Sequence, residues 1–464
     1  MEPLTLKQIG EFAQGSITAG DAASTISRVS TDSRTLQPGD LFVPLRGENF
    51  DGHRFVEQAA ERGAAGAMVE ESWQGAAPEN FALIRVADTL PAYQNLAANY
   101  RRSLSLKAIA ITGSNGKTST KDFVAAILSR GFRVTKTEGN FNNHVGLPQT
   151  MLTATSSDQV AVWEIGMNHP GEIAALAKLA APDAALITNI GVAHIEFMGS
   201  REAIAAEKGA LAEAVDSGGT VILNGDDSFS ESIAQRTRAK VILAGIENGS
   251  VRATDVSQSA TGCEFTILEG AHRCRAQLPV PGIHMVQNAM LAVAAGRAFG
   301  LSLEECAAGL ASTPLTKARL QIKEINGIQF LDDSYNANPE SMKAALRTLI
   351  ELDADGRRVA VLGQMNELGE ESERGHREVG ETAAALGIDE LLAVGAAGAA
   401  IAHAARKAGL AKSSAVESPE EAARHLRASA APGDLILVKG SRSARMERVL
   451  EAFGKSRSAA EVSP

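Results

Sequence analysis

The stretch Lys107-Ala-Ile-Ala-Ile-Thr-Gly-Ser-Asn-Gly-Lys-Thr-Ser119 decides the fold of this chain. Its apolar run, residues 108–111, predicts a buried parallel strand, and residues 112–116 form a turn of small residues. Phe123 and Ile127, one helical turn apart, then predict a helix. A strand, a glycine turn, Lys-Thr-Ser and a helix together are typical of a phosphate cradle, in which backbone N–H groups and a helix N-terminus face an anion.

Within this loop, Lys117 adds a point charge for a phosphate, and Thr118 offers a hydroxyl to Mg²⁺. The spacing is tighter than the common G-x-x-x-x-G-K-[ST] pattern, because Ile111 stands where that pattern has its first glycine. An alternative interpretation is a strand-to-helix turn that needs glycine only for its backbone conformation. The Lys-Thr pair directly after Gly116 favours the phosphate cradle.

The composition is that of a soluble globular protein with several domains. The chain has 464 residues, of which 44% are hydrophobic and 22% charged, and this length is too great for one ordinary core. The net charge of −10 argues against nucleic acid as a partner, because a phosphate backbone requires a basic face. The longest apolar runs fall far short of the roughly 20 residues of a membrane span. We therefore expect neither nucleic-acid binding nor a membrane span.

The cysteines and the N-terminal stretch predict the compartment. Cys263, Cys274 and Cys306 have neither metal-ligand spacing nor the even number of a disulfide framework, so reduced thiols are the simplest interpretation. The residues that follow Met1 lack the basic start and apolar run of a signal peptide. Both features predict a cytoplasmic protein.

Alternating strand and helix signals predict three α/β domains. Residues 1–105 are predicted as a small α/β domain, residues 106–312 as a central domain with a mostly parallel, doubly wound sheet, and residues 313–464 as a Rossmann-like unit with a second open sheet. In such sheets, ligands lie beyond the carboxyl ends of the strands. Two such faces, one carrying the phosphate cradle, predict a reaction in the cleft between domains.

Polar residues follow several predicted strands of the central domain. An amide-rich stretch with Asn142 and Asn143 follows one strand, Glu164 ends a second, and a segment closing at His194 follows a third. Asn-rich stretches are commonly turns, and a single histidine is more commonly structural. A carboxylate at this edge, however, suits Mg²⁺ on a nucleotide, and the shared position favours a functional role. Lys208 has no chemical signal of its own and is predicted as an exposed helix lysine.

The segment from Ser30 to Arg34 has two interpretations. Ser30, Asp32, Ser33 and Arg34 bring several polar groups and a fixed cation close together, which suits a phosphorylated or uridine-like ligand. The same residues also suit an ordinary polar turn, in which Asp and Ser side chains cap the local backbone. From the residues alone, the turn is favoured.

These motifs resemble the Mur ligase family, and the resemblance covers nearly the whole chain except its end. The family's compact phosphate loop matches residues 112–119 and accounts for the missing first glycine. Further matching stretches are Asn140-Phe-Asn-Asn143, Glu164-Ile-Gly166, His169-Pro-Gly-Glu172, His194 with Lys208, and Pro281-Gly-Ile-His284 with Asn288. Three stretches of the third domain resemble in particular the members that add D-alanyl-D-alanine, namely Asp332-Asp-Ser-Tyr-Asn-Ala-Asn-Pro339, Glu367-Leu-Gly369 and Val438-Lys-Gly-Ser-Arg-Ser443.

This resemblance implies an ATP-dependent amide ligase that joins D-alanyl-D-alanine to UDP-N-acetylmuramoyl-tripeptide in the synthesis of the peptidoglycan precursor. The tripeptide carboxylate would attack the γ-phosphate of ATP, and the dipeptide amine would then displace phosphate from the acyl phosphate. The implied cofactors are ATP and Mg²⁺, the implied partners are the two substrates, and a monomer is expected. Two alternatives stay open, namely an amide ligase for another product and a nucleotide-dependent switch that forms no bond.

The resemblance also assigns roles to residues. The residues expected to contact the phosphates of the nucleotide are Gly113, Ser114, Asn115, Gly116, Lys117, Thr118 and Ser119. His284 and Asn288 are expected near the adenine, Asp333 near the ribose, and Arg319 at the γ-phosphate. Thr118 and Glu164 are expected to hold one Mg²⁺, and His194 and a carbamylated Lys208 are expected to hold a second. Those expected to contact the substrates are Ser30, Asp32, Ser33, Arg34, Asn142, Asn143, Asn336 and Asn338. Catalysis is expected to depend on Lys117, Glu164, His194, Lys208 and Arg319. Family members usually have glycine where Ala318 stands.

Overall fold

A computed structural model describes residues 1–47, 49–76, 78–314 and 316–455. The last nine residues of the predicted third domain, 456–464, therefore lie outside the described residues. The chain folds into three successive α/β units, each built on its own sheet, which confirms the predicted fold class. Across the described ranges, no helix is long and apolar enough to cross a membrane.

The first unit has a five-stranded sheet with the order β2-β9-β8-β5-β4 and two short antiparallel ribbons, β1-β3 and β6-β7. Its elements are β1 (Leu4–Thr5), α1 (Leu6–Ala13), β2 (Ser16–Ala19), β3 (Thr25–Ile26), β4 (Val29–Ser30), β5 (Leu41–Phe42), β6 (Arg46–Gly47), β7 (Phe50–Asp51), α2 (Val56–Glu61), β8 (Gly66–Glu70), β9 (Ala82–Val86) and α3 (Thr89–Ser103).

The central unit starts with the strand and helix that the opening stretch predicted. Its elements up to the sixth parallel strand are β10 (Lys107–Thr112), α4 (Lys117–Leu128), β11 (Val134–Lys136), α5 (Gly146–Met151), β12 (Val160–Glu164), α6 (Glu172–Ala180), β13 (Ala184–Ile187), α7 (Ile195–Met198), α8 (Arg201–Glu213), β14 (Thr220–Asn224), α9 (Ser230–Ala234) and β15 (Lys240–Gly245). Its remaining elements are β16 (Val251–Ser259), β17 (Gly262–Glu269), β18 (His272–Leu278), α10 (Ile283–Ala298) and α11 (Leu303–Ala311).

Strand β10 is buried on both faces, as its continuous apolar run requires. Its side chains alternate between two cores: Ile109 and Ile111 pack with residues of α4 and α10, and Ala108 and Ala110 pack in a separate core that includes Trp163. The strand lies between β12 and β13 in the nine-stranded order β11-β12-β10-β13-β14-β15-β16-β17-β18. The parallel pairing aligns the carboxyl ends of β10, β12, β13 and β14 at one edge.

The antiparallel strands β16, β17 and β18 extend this sheet and were not predicted from the sequence. Their face on the core includes Cys263, Phe265 and Ile267. All three cysteines are free thiols, as expected for reduced residues. The extension lies at the far end of the strand order from β12, so it does not contribute to the edge that carries the phosphate loop.

The third unit has a six-stranded sheet with the order β19-β20-β24-β21-β22-β23, in which only β19 is antiparallel. Its elements are β19 (Gln321–Ile325), β20 (Ile328–Asp333), α12 (Pro339–Glu351), β21 (Arg358–Gly363), α13 (Ser372–Ala385), β22 (Glu390–Val394), α14 (Ala399–Lys407), β23 (Ser413–Val416), α15 (Pro419–Ser429), β24 (Leu435–Lys439) and α16 (Glu447–Gly454).

Candidate active site

The phosphate loop needs glycine at two positions for steric reasons. Gly116 caps α4 in the left-handed region at φ 79°, and a Cβ there would lie 2.6 Å from the side chain of Asn288 on α10. Gly113 has φ 147°, and a Cβ there would lie 1.8 Å from Thr188 Oγ1. Helix α10 and the segment after β13 therefore press directly on the loop and hold its backbone close.

Lys117 begins α4, and its Nζ donates a hydrogen bond to the Gly113 carbonyl at 2.7 Å. Burial lowers the pKa of Lys117, the charge of Glu164 opposes that shift, and the charge of Arg319 adds to it. A buried ammonium of this kind is stabilised by a nearby anion. The loop and its lysine therefore fit the phosphates of a nucleotide.

Glu164 ends β12 beside the loop and is 2% exposed. Its Oε1 accepts a hydrogen bond from Asn142 Nδ2 at 2.7 Å, and its Oε2 is buried with no hydrogen-bond partner in the described chain. The described residues contain no group of three or more His, Cys, Asp or Glu that could hold a metal. Mg²⁺, however, commonly needs only one or two carboxylates besides phosphates and water, so the free oxygen of Glu164 and the Thr118 hydroxyl suit it.

Lys208 is not the exposed helix lysine that the sequence predicted. It is 1% exposed, on the face of α8 that also buries Ile204 and Leu211. Burial lowers its pKa well below the ordinary lysine value, the charge of Lys117 adds to this, and the charge of Glu207 opposes it. The spacing Ile204, Lys208, Leu211 was the available signal, since side chains three and four apart share one helix face.

The third unit supplies the opposite wall of the cleft. Asp333 ends β20, and Lys439 at the end of β24 forms an ion pair with it and donates to the Asn336 carbonyl at 3.0 Å.

His284 lies on α10 of the central unit. Burial lowers the pKa of His284 to about 4, although the charge of Asp333 opposes that shift. His284 is therefore a neutral imidazole at neutral pH, with one nitrogen able to donate and one able to accept a hydrogen bond.

Arg319 reaches the phosphate loop from the segment between α11 and β19. Its guanidinium lies over the ring of Tyr335, 4.2 Å from the centroid, and one nitrogen lies 3.4 Å from Thr118 Oγ1. Its Nε is buried with no hydrogen-bond partner among the described residues. Ala318 and Leu320, on either side, have φ of 58° and 50°, so the arginine is held between two residues in the left-handed region.

A cleft of about 710 Å³ lies between the central and third units. The predicted site residues that line it are Ser114, Asn115, Gly116, Lys117, Thr118, Ser119, Asn142, Asn143, Glu164, His194, His284, Asn288, Arg319, Asp333, Asn336 and Asn338. A cavity of about 820 Å³ lies at the amino ends of the central strands, lined by Lys107, Asp183, Thr220 and many small residues. The cleft is the candidate active site, because the phosphate loop lines it together with Glu164 and Arg319, each of which carries a buried polar atom with no hydrogen-bond partner among the described residues.

Sequence models of three domains match the chain: the Mur ligase family catalytic domain over residues 25–101, the Mur ligase middle domain over residues 111–296, and the Mur ligase glutamate ligase domain over residues 318–442. These matches together cover most of the chain and all three structural units. The chain belongs to the Mur ligase family. The three matched domains correspond to the three structural units of the chain.

Relatives of this Mur ligase chain match it over nearly its full length. The UDP-N-acetylmuramoyl-tripeptide–D-alanyl-D-alanine ligase of Bacillus subtilis (strain 168) is 41% identical over 450 residues, covering 96% of this chain and 97% of the relative. The protein of the same name from Escherichia coli (strain K12) is 38% identical over 457 residues, covering 98% and 99%.

Solved structures of this family superpose on nearly the whole chain. A MurF crystal structure from Acinetobacter baumannii matches with a TM-score of 0.91 at 34% identity, covering 98% of this chain and 100% of that one. MurF ligase from Thermotoga maritima in complex with ADP matches with a TM-score of 0.80 at 28% identity, covering 92% and 97%.

The predicted residues of the first unit do not line the cleft, and they form a turn. The Asp32 carboxylate accepts hydrogen bonds from the backbone N–H and the guanidinium of Arg34, and Ser30 Oγ donates to the Asp32 carbonyl at 3.1 Å. The Arg34 side chain is 84% exposed. This is the local geometry that the residues alone favoured, and it leaves the Arg34 guanidinium accessible.

Two predicted substrate residues have structural contacts of their own. Asn143 Oδ1 accepts the backbone N–H groups of Val145 and Gly146 at the start of α5. Asn338 caps α12, and its Nδ2 donates to Asn115 Oδ1 at 2.7 Å. Asn338 therefore joins the third unit to the phosphate loop.

Sequence reasoning missed Asn189 and Glu340 in the cleft. Asn189 Oδ1 accepts the backbone N–H of Asn115 at 2.9 Å, and the Glu340 carboxylate accepts from the backbone N–H of Val192 at 3.1 Å. Asn189 lies inside a polar cluster that the sequence had pointed to, between Thr188 and His194. Glu340 carried no signal, since an acidic residue in the first turn of a helix is an ordinary finding.

Proposed function

We propose that this chain is an ATP-dependent, ADP-forming ligase that joins D-alanyl-D-alanine to UDP-N-acetylmuramoyl-tripeptide. Family membership gives the ligase class, and full-length relatives from two distant bacteria carry the name of this activity. The structural observation that carries the proposal is the cleft, in which the phosphate loop with Lys117 faces Arg319 of the third unit. A nucleotide bound there would contact both units.

The reaction proceeds in two balanced steps. The tripeptide carboxylate attacks the γ-phosphorus of ATP, the bond to the β-phosphate oxygen breaks, and an acyl phosphate and ADP form. The dipeptide amine attacks the acyl carbon, the bond to the phosphate oxygen breaks, and the amine nitrogen releases one proton to solvent or to the departing phosphate as the amide forms. In both steps Lys117 and Arg319 offset the negative charge of the phosphates, so that catalysis rests on positioning and charge.

We assign one Mg²⁺ to Thr118 and Glu164, and a second to His194 and a carbamylated Lys208. Bound there, Mg²⁺ would polarise phosphoryl oxygen as a Lewis acid. An uncharged amine is the form that adds CO₂, and the strongly lowered pKa of buried Lys208 favours that form. Carbamylation replaces a cation that would repel the metal with an oxygen ligand that suits it.

The three units divide the substrates. Residues 106–312 hold ATP, residues 1–105 hold the UDP end of the muramoyl peptide through Ser30, Asp32, Ser33 and Arg34, and residues 313–464 bind the dipeptide and close over the nucleotide. Asn142, Asn143, Asn336 and Asn338 contact the peptide substrates across the cleft. Residues of one chain complete both walls of the cleft, in line with a monomer. The cytoplasm, where ATP and the precursor are present, follows from the proposed activity.

The test measures ADP release by the purified chain with ATP and the UDP-muramoyl tripeptide, in the presence and absence of D-alanyl-D-alanine. The product is identified by its mass. We expect full turnover and a pentapeptide product only when the tripeptide and D-alanyl-D-alanine are both present. Lys117→Ala should lower kcat by about 100- to 1000-fold, the cost of one preorganised donor at developing charge, with an unchanged circular dichroism spectrum. ADP release that ignores the dipeptide, with no new peptide, would contradict the proposal. Light scattering at the mass of a dimer would contradict the monomer.

A further inference from the structure

The third unit contacts the phosphate loop through the first turn of α12. Asn338 caps this helix and Glu340 lies one residue past the Pro339 that begins it. Asn338 Nδ2 donates to Asn115 Oδ1 at 2.7 Å, and Asn115 Nδ2 donates to Glu340 Oε2 at 3.2 Å. Both ends of the Asn115 amide are therefore held by residues of the other unit.

The Glu340 carboxylate also binds the segment that follows β13. Its two oxygens each lie 3.1 Å from the backbone nitrogen of Val192. The approach depends on Gly191, because a Cβ at that residue would lie 2.0 Å from Glu340 Oε2. A hydrogen bond from an N–H to a carboxylate is stronger than one between neutral groups, and the N-terminus of α12 stabilises the negative charge.

The loop residue that these contacts hold is itself fixed within the central unit. Asn189 Oδ1 accepts the backbone N–H of Asn115 at 2.9 Å, and the Asn115 carbonyl accepts from Asn189 Nδ2 at 3.1 Å and from Thr188 Oγ1 at 2.6 Å. The Asn115 side chain is thus the part of the loop that is presented to the third unit. Glu340 can bind it only when the third unit is docked.

We infer that Glu340 is a positioning residue, which locks the docked third unit onto Asn115 and Val192 and so couples domain closure to the geometry of the phosphate loop. Its role in turnover rests on the proposed function, whereas the contact itself does not. A lock of this kind favours the closed state, in which the bond-forming steps occur, and leaves ATP binding to the central unit nearly unchanged. Its loss should therefore lower kcat more than it raises KM for ATP.

Hydrogen exchange of the Val192 amide in the ligand-free protein tests the contact. Glu340→Ala should raise the exchange rate about tenfold, the lower limit for losing a hydrogen bond to a charged group. Glu340→Gln keeps one acceptor oxygen and should raise it less. Glu324→Gln, an exposed carboxylate on β19 of the same unit, is the matched control and should leave the rate unchanged. Equal Val192 exchange in Glu340→Ala and the unmodified chain would overturn the inference.

Steady-state kinetics test the positioning role. We expect Glu340→Ala to lower kcat about tenfold, in line with the exchange result, with KM for ATP within about twofold, and Glu340→Gln to recover part of the loss. Gly191→Ala should reproduce the defect without removing the carboxylate, and the double variant should be no worse than either single one. An unchanged or raised kcat in Glu340→Ala would overturn the inference. If the unmodified chain makes no amide, the proposed function fails while the exchange result stands.

Discussion

His194 Nδ1 lies 2.7 Å from Glu367 Oε2 across the cleft. Both residues have backbone angles in the left-handed region, at φ 64° and 60°, where a residue other than glycine is uncommon. At this separation the imidazole and the carboxylate contact each other directly, and the contact lowers the pKa of Glu367. Two strained residues on opposite walls therefore meet where the metal ligand His194 is proposed, which is typical of functional sites.

The exposure of Glu367 separates the roles of the two residues in this contact. Glu367 is 46% exposed at its side chain, and exposed pairs contribute under about 1 kcal/mol. We expect Glu367→Gln to change kcat by no more than about fivefold. His194→Ala should lower kcat by more than roughly 10- to 100-fold, the loss of activity typical of a residue that only supports a metal ligand. Steady-state kinetics over a range of Mg²⁺ concentrations measure both, and equal losses would contradict the assignment of His194.

Lys208 offers a chemical test of the carbamate. Lys208→Ala should lose activity because the side chain that carries the oxygen ligand is gone, and short carboxylates in the buffer should restore part of it. Lys178→Ala, an exposed lysine on α6, is the control that should keep full activity with or without carboxylate. Failure of rescue together with an unmodified Lys208 in electron density would count against the carbamate.

The pH dependence of stability should reflect Asp434, whose side chain is 3% exposed. Burial alone would raise the pKa of Asp434, but hydrogen bonds from Arg357 and from the backbone N–H of Ala431 lower it overall. Because the folded pKa lies below the unfolded one, the carboxylate stabilises the fold above the unfolded pKa, and this contribution is lost as pH falls through the folded pKa.

Asp434→Asn should therefore destabilise the third unit by about 2 kcal/mol at neutral pH, the value of hydrogen bonds to a charged group. In urea titrations, the difference in unfolding free energy between this variant and the unmodified chain should shrink as the pH falls below about 5. Asp353→Asn, an exposed aspartate of the same unit, should show no such trend. A difference that stays constant with pH would contradict the ion pair as its cause.

The segment between the central and third units carries a strained alanine. Ala318 has φ 58°, a conformation that costs a residue with a Cβ about 1–2 kcal/mol. Glycine would remove this strain, but it would also raise the conformational entropy of the unfolded chain, which costs about 0.4–1 kcal/mol of stability. Ala318→Gly should therefore leave the melting temperature unchanged or raise it by about 1–2 °C. Ala175→Gly, at an exposed position of helix α6, should lower it, since glycine costs about 1 kcal/mol in a helix. Calorimetric midpoints compare the two, and an equal fall in both would argue against strain at Ala318.

Local patterns in the sequence predicted most of the architecture. The apolar run of β10, the glycines and Lys-Thr of the loop, and the strand ends at Glu164 and Thr188 all follow from rules that act over a few residues. The antiparallel strands β16 to β18 were missed. In β16 the alternation of buried and exposed residues is broken by a register shift between Thr254 and Ser257, and in β17 neighbouring residues are buried in succession. A bulge of this kind moves later side chains to the other face.

The sequence by itself determined the three α/β units, the phosphate loop and the family, because each is encoded in contiguous residues whose spacing matches a strand, a turn or a helix. Only the tertiary structure decided that Lys208 is buried, that Glu340 reaches Val192 and Asn115, and that His194 meets Glu367. These contacts join residues far apart in the chain, and the docking of whole units sets the burial and charge around each side chain. Helical spacing could place Lys208 on the buried face of α8, but no local pattern carries the contacts of Glu340 or His194.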